Sequence, residues 1–294
     1  MTSHSSSEVP RNRLPLDDAA FEGGSAMERE TFERFRKLVY EKSGITLGPR
    51  KESLVAARIS KRIRALHLPD HRAYLQYVME DDSGEELVQL LDAIATNVTS
   101  FYREPVHFDF LSQAVTRWRS QGQRRFRFWS AACSTGEEPY TMAITLREAL
   151  GDSDVDQKIL ATDISTKVLK RCLEGRYSQD NIKPVDTALR SRYFDTAKQD
   201  GKTYFTVRET LRRLVVFRRL NLSTPPFPMQ GPMDAIFCRN VMIYFDNAVR
   251  LRLLNEFQRL LKPGGFLMVG HAESLTGMMT HLRSVQPSIY VKEK

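Results

Sequence analysis

The chain has 294 residues, 41% of them hydrophobic, and 44 basic against 36 acidic side chains give it a net charge of +8. That size favours one large domain beside a smaller one, the apolar content supports a packed core, and the basic balance implies an acidic partner. A spanning helix is excluded because no apolar run approaches roughly 18 residues, and the start, MTSHSSSEVPRNR, lacks a signal-peptide core, so a cytoplasmic protein is expected.

Residues 1–26 are rich in Ser, Pro, Gly and charge without periodicity and are expected to be a disordered tail. A capping-box pattern at Ser25-Ala-Met-Glu28 precedes Phe32, Phe35, Leu38 and Val39 at helical spacing, and Gly44 is placed to end that helix. Between Arg50 and Leu66, Val55, Ile59, Ile63 and Leu66 make an apolar stripe. Lys51, Arg58, Lys61 and Arg62 make a basic face fitted to dock an acidic partner, although a charged helix face is also ordinary solvated surface. Asp70 starts a third helix, and Ser83-Gly-Glu-Glu86 caps a fourth. Residues 27–96 are thus expected to form a small all-helical domain, and 97–294 a second, larger one.

The joining segment Thr96-Asn-Val-Thr-Ser-Phe-Tyr-Arg-Glu-Pro105 interleaves polar and aromatic side chains, which a plain linker would not need. Pro105 suits the first turn of a helix reaching Trp118. Phe126-Arg-Phe-Trp129 then alternates as a strand, and Ala143, Leu146 and Ala149 recur at helical spacing. The turn between them, Ala131-Ala-Cys-Ser-Thr-Gly136, has one glycine where a pyrophosphate cradle wants several, and two carboxylates, Glu137 and Glu138, follow it. This pattern favours a nucleoside pocket without a diphosphate. Lys158-Ile-Leu-Ala-Thr-Asp163 is a second buried strand ending in an acid, placed where a carboxylate can accept from both ribose hydroxyls, or cap the next helix.

From Gly175 to Phe217 the alternation of strand and helix breaks. Residues 202–208 and 214–217 are β-like at hairpin spacing, so an inserted antiparallel β-subdomain is expected over 175–217. Asp234–Val241 is a further buried strand, a helix runs from Asn247 to Leu261, Lys262-Pro-Gly-Gly265 stops it, and 266–269 and 289–291 supply the last strands. The fold class is therefore α/β, with a doubly wound Rossmann-like sheet. Cys133, Cys172 and Cys238 form no C-x-x-C pair, so neither a zinc site nor a disulfide framework is expected.

The motifs TNVTSFYRE, WSAACSTGEEPY, ATDIS, FCRNVMIYF, LKPGG and GHAES, in this order behind a basic helical domain, resemble the CheR-type chemotaxis receptor methyltransferases of the class I S-adenosylmethionine-dependent superfamily. The resemblance implies methyl transfer from S-adenosylmethionine to glutamate side chains on the cytoplasmic helices of chemoreceptors, leaving S-adenosylhomocysteine. It places Asn97, Thr99 and Arg103 beside the cofactor, with Glu138 at its methionine amino end and Asp163 at the ribose. Asn221 and Leu222 would lie near the adenine, with Arg239, Asn240 and Tyr244 on the floor. Arg103 would position the acceptor carboxylate and Tyr244 would orient the transfer. Arg103 could instead pair with Glu104, Asn221 be a turn residue, Tyr244 fill core, Glu137 serve only the turn, and His271 be structural. No metal is expected, and the protein is read as a monomer.

A nucleic-acid methyltransferase is the rival class, given the basic charge and the Arg124, Arg125, Arg127 cluster. Against it, Thr224-Pro-Pro-Phe227 lies before the strand it should follow, and Cys238 lacks the preceding proline of a cytosine C5 enzyme. The second rival is a binding module that keeps the fold without transfer.

Overall fold

The computed structural model describes residues 27–151, 155–275, 277–278 and 281–293; the tail expected over 1–26 lies outside them. Four helices come first: α1 (Arg29–Ser43), α2 (Glu52–Ala65), α3 (His71–Glu80) and α4 (Glu85–Ile94). Phe32, Phe35 and Val39 of α1 are fully buried against Val55 and Ile59 of α2 and Tyr74 and Leu75 of α3, so spacings of three and four define one apolar face per helix. Gly44 ends α1 in the left-handed conformation at φ 71°, its N–H donating to the Tyr40 carbonyl at 2.7 Å. The expected capping box does not start this helix: its N-cap is Glu28, without a side-chain cap bond. Asp70 caps α3 as expected, accepting from the Ala73 amide at 2.8 Å.

The second lobe runs α5 (Val106–Ser120), β1 (Arg125–Ala131), α6 (Glu137–Leu150), β2 (Asp156–Asp163) and α7 (Thr166–Glu174). It continues through β3 (Arg176–Ser178), α8 (Gln179–Ile182), α9 (Thr187–Tyr193), β4 (Phe194–Gln199), β5 (Lys202–Val207), α10 (Glu209–Arg212) and β6 (Val215–Arg219). It closes with β7 (Met233–Cys238), α11 (Asn247–Leu260), β8 (Leu261–Val269), β9 (Leu282–Gln286) and β10 (Ile289–Lys292). The seven-stranded sheet has the order β6-β2-β1-β7-β8-β10-β9. Its first five strands are parallel, and β10 runs antiparallel between β8 and β9. Side chains alternate across β1: Phe126 and Phe128 enter the core shared with α5 and α6, while Trp129 and Ala131 enter the core shared with α11.

The inserted subdomain differs from the expected hairpin. A separate three-stranded antiparallel sheet, β3-β5-β4, is built there, and β5 pairs with β4, not with the segment at 214–217. Asp200 and Gly201 both take positive φ, 50° and 71°, which is the two-residue turn that joins twisted strands. Val215–Arg219 instead pairs parallel with Ile159–Asp163 on the edge of the main sheet. Its β-branched residues serve that edge, so the inserted sheet ends before them.

Candidate active site

The sheet order reverses at β1, and a cleft opens at the carboxyl ends of β1, β2 and β7, where a doubly wound fold places its ligand. Its other wall comes from the helical lobe. Ile45, Leu47, Lys51, Leu54 and Arg58 line it together with the connecting segment 94–100. The lobes are fastened beside it by the Thr46 amide on the Tyr244 carbonyl at 2.8 Å and by an Ile45–Phe245 bridge.

The loop after β1 does with other residues what glycines would do. Ala132 and Ser134 take positive φ of 66° and 49° before Gly136 at 98°, where an added Cβ would lie 2.7 Å from the Tyr177 hydroxyl. The Ser134 amide donates to Asp163 Oδ2 at 2.9 Å and the Ser165 amide to Oδ1 at 3.0 Å. Each carboxylate oxygen keeps a further acceptor position. Burial raises the Asp163 pKa to about 6 against the pull of those amides.

Glu138 accepts from the Ser130 hydroxyl at 2.7 Å and pairs with Arg239 Nη1 at 3.0 Å; burial nevertheless keeps its pKa above the ordinary carboxylate value. Glu137 is buried outside the cleft lining and accepts from the Thr135 hydroxyl at 2.6 Å, a turn contact. The cleft therefore holds two desolvated acids, one keeping acceptor positions and the other facing a single guanidinium. A ligand carrying a cationic amine and paired hydroxyls fits that pair of acceptors.

The Arg239 side chain, only 2% exposed, lies over the rings of Phe108 and Phe237 and bonds Glu104 through Nε and Nη2 at 3.3 and 3.0 Å, as well as the Arg103 carbonyl. Burial opposes ionisation of Glu104, but Arg239 and the His271 amide outweigh it and hold its pKa below the ordinary value. Arg103 is therefore not paired with Glu104; its guanidinium donates to the Val98 carbonyl at 2.9 Å on the cleft wall. His107 is wholly buried beside this cluster, and burial with the nearby Arg239 pushes its imidazole down to about 4, leaving it neutral. Glu104, His107 and His271 offer a metal donor set among the described residues, with ligand atoms within 4.8 Å, but Arg239 already occupies the Glu104 oxygen facing His107.

Asn97, Thr99, Arg103, Glu138, Asp163, Asn221, Leu222, Arg239, Asn240 and Tyr244 all line this one cleft. The basic face of α2 is different. Arg62 is consumed by the buried Glu86, with Nε 2.9 Å from Oε1, and Arg58 donates to the Ile94 carbonyl and to Thr96 Oγ1 at 3.2 Å. Of the four cations expected to dock a partner, Lys51 and Lys61 are exposed. The acid that consumes Arg62 lies 24 residues away on α4, which spacing along α2 cannot reveal. Glu104 is the residue that sequence reasoning undervalued, because its partner Arg239 is 135 positions distant.

This fold and cleft define a class I S-adenosylmethionine-dependent methyltransferase. Residues 97–291 match the CheR methyltransferase, SAM binding domain, and residues 30–95 the CheR methyltransferase, all-alpha domain. The chain belongs to the CheR methyltransferase family. It is 40% identical over 264 residues to chemotaxis protein methyltransferase 2 of Pseudomonas aeruginosa, covering 89% of this chain and 92% of that protein. Against the chemotaxis protein methyltransferase of Borreliella burgdorferi it is 36% identical over 271 residues, covering 90% and 94%. The Salmonella typhimurium protein of the same name is 36% identical over 269 residues, covering 92% of each chain.

Proposed function

We propose that this enzyme methylates glutamate side chains on the cytoplasmic helices of chemotaxis receptors, with the cofactor and acceptor roles of its cleft residues as the family resemblance assigns them. The observation that carries this reading is the meeting of Arg103 and Tyr244 with Glu138 and Asp163 in one cleft. S-adenosylmethionine, when bound, supplies an electrophilic methyl group on a sulfonium. Glu138 attracts its amino end, Asp163 accepts from its ribose hydroxyls, and Asn221 with Leu222 borders its base.

A glutamate side chain has a reference pKa near 4.3, so at neutral pH the acceptor is already an anionic nucleophile and the enzyme needs no general base. A carboxylate oxygen forms the bond to the methyl carbon, the carbon–sulfur bond breaks with its electron pair going to sulfur, and no proton moves. Alignment and removal of water from the carboxylate then carry the catalysis. Arg103 supplies charge-assisted hydrogen bonds that hold the acceptor, and Tyr244 orients the approach. Exposed Lys51 and Lys61 draw an acidic helix toward the cleft, a contribution that salt weakens.

Among the described residues no helix is long and apolar enough to cross a membrane, and we read the enzyme as acting on the cytoplasmic face of its receptors. The test is transfer of labelled methyl to receptor-containing membranes followed by mild alkali. Carboxyl methyl esters release labelled methanol. Alkali-stable label, or label on RNA, would overturn the reading, and cofactor binding without transfer would mark a binding module.

A further inference from the structure

We infer that Glu104 is a positioning residue for methyl transfer that sets Arg103 through the Arg239 guanidinium, an inference that rests on the acceptor-binding role proposed for Arg103. Two independent features of the structure lead to it.

The first is backbone geometry. Arg103 lies between Tyr102 and Glu104, both non-glycine residues in the left-handed region at φ 53° and 55°. Each such residue is held in a strained conformation that persists only where its surroundings over-determine it. Turning the chain on both sides of one residue fixes the direction in which that residue projects. Here it projects into the cleft, with Nη1 on the Val98 carbonyl.

The second is what holds that geometry. Glu104 Oε2 accepts from Arg239 Nε and Nη2, and Oε1 accepts from the His271 amide at 3.3 Å and from Asn240 Nδ2 at 3.5 Å. The same guanidinium donates to the Arg103 carbonyl and reaches Glu138 at 3.0 Å. Arg239 thus grips the Arg103 backbone on one side and the Glu104 carboxylate on the other, from an almost fully buried position. Without the Glu104 charge, Arg239 keeps Glu138 and the Arg103 carbonyl but loses its anchor on the Glu104 side of the left-handed turn, and Arg103 leaves the geometry needed to receive the acceptor. Glu104 itself is given no contact with either substrate.

The experiment is a double-mutant cycle of Glu104→Gln and Arg103→Ala, measured as kcat at saturating cofactor and receptor. S-adenosylhomocysteine affinity and Tm are measured on the same preparations. A displaced catalytic group costs on the order of a hundredfold, so Glu104→Gln is expected to lower kcat by roughly 30- to 100-fold. The affinity of S-adenosylhomocysteine should stay nearly constant. In the Arg103→Ala background the Glu104→Gln change should have almost no further effect, because groups acting as one unit are not additive.

Multiplication of the two losses would overturn the inference. So would an unchanged kcat in Glu104→Gln, or a loss of product affinity as large as the loss of kcat, which would assign Glu104 to the cofactor side. A purely structural role would lower Tm and leave kcat per folded enzyme intact, and that also overturns it. If Glu104→Gln does not fold, Glu104→Asp, which draws the carboxylate one methylene back from Arg239, enters the same cycle with a smaller expected loss of kcat that again vanishes in the Arg103→Ala background. Alkali-labile label from the wild-type enzyme tests the glutamate reading separately, so a multiplicative cycle beside normal ester formation removes this inference alone.

Discussion

The Asn221 side-chain amide donates to the carbonyl of Lys42 at 2.8 Å, so a residue expected beside the adenine also fastens the end of α1 to the sheet lobe. Its oxygen accepts from the Ser223 amide and hydroxyl at 3.0 and 2.9 Å. Asn221→Ala removes all three bonds at the lobe junction, and each typically contributes about 1 kcal/mol. The expected outcome is a lower Tm and a weaker affinity for S-adenosylhomocysteine, read by thermal unfolding with and without ligand and by calorimetry. If Tm falls and affinity does not, Asn221 is a fastener only.

Asp163 gives the cofactor site a pH dependence. Its pKa is raised to about 6 by burial, so the carboxylate is ionised at neutral pH and gains a proton as pH falls through 6. Protonation removes the charge on the group proposed to accept two ribose hydroxyls. The dissociation constant of S-adenosylhomocysteine should therefore be flat above pH 7, rise as pH falls through 6, and level off toward that of a neutral side chain. Asp163→Asn should abolish that inflection while binding weakly at every pH. An inflection that survives in Asp163→Asn would assign the titration to another group.

Tyr244 offers a cleaner test of orientation, since its ring is half-buried in the cleft wall and its backbone carbonyl, not its hydroxyl, fastens Thr46. Tyr244→Phe should leave Tm and cofactor affinity unchanged. Turnover should fall by roughly tenfold or more, as loss of a positioned donor does. Wild-type turnover in this variant would remove Tyr244 from the mechanism.

On α2, substitutions at neighbouring cations should separate by phenotype. Arg62→Ala strands the carboxylate of Glu86, which keeps the Tyr74 hydroxyl at 2.8 Å, and is expected to destabilise the helical lobe by about 1–3 kcal/mol without a selective effect on receptor binding. Lys51→Glu with Lys61→Glu should instead raise the Michaelis constant for receptor membranes and reduce its dependence on salt, with Tm unchanged. Equal increases in that constant from both variants would mean that α2 presents one continuous docking face after all.

Those contrasting roles show where sequence was informative. The strand, loop and helix from 125 to 150 were legible because period two gives way to helical spacing around small residues, and Asp163 because an acid ends the next buried strand. Gly44 was legible as a helix stop because a left-handed residue is needed there. Val215–Phe217 has the same β-forming composition whichever sheet takes it, and the pairing is settled locally by the Asp200-Gly201 turn. Ala132 and Ser134 take left-handed conformations without announcing them by type. The engagement of Arg58, Arg62 and Arg239 depends on partners 24 to 136 positions away, which no local pattern encodes.

The two-walled cleft also ties the cofactor to the integrity of the chain. Its ligand would touch the α1–α2 connection, the interdomain segment and three strand ends at once, while among the described residues the lobes are joined directly by a small set of bonds, those of Asp92, Tyr40, Thr46 and Asn221 among them. A ligand that binds only when both walls are present adds to the cohesion of the whole, about 2.7 kcal/mol at a hundredfold excess over its dissociation constant. The methyl donor is then a mortar between lobes as well as a reagent. A cell short of it would hold not only an idle enzyme but a looser one, more open to unfolding and proteolysis.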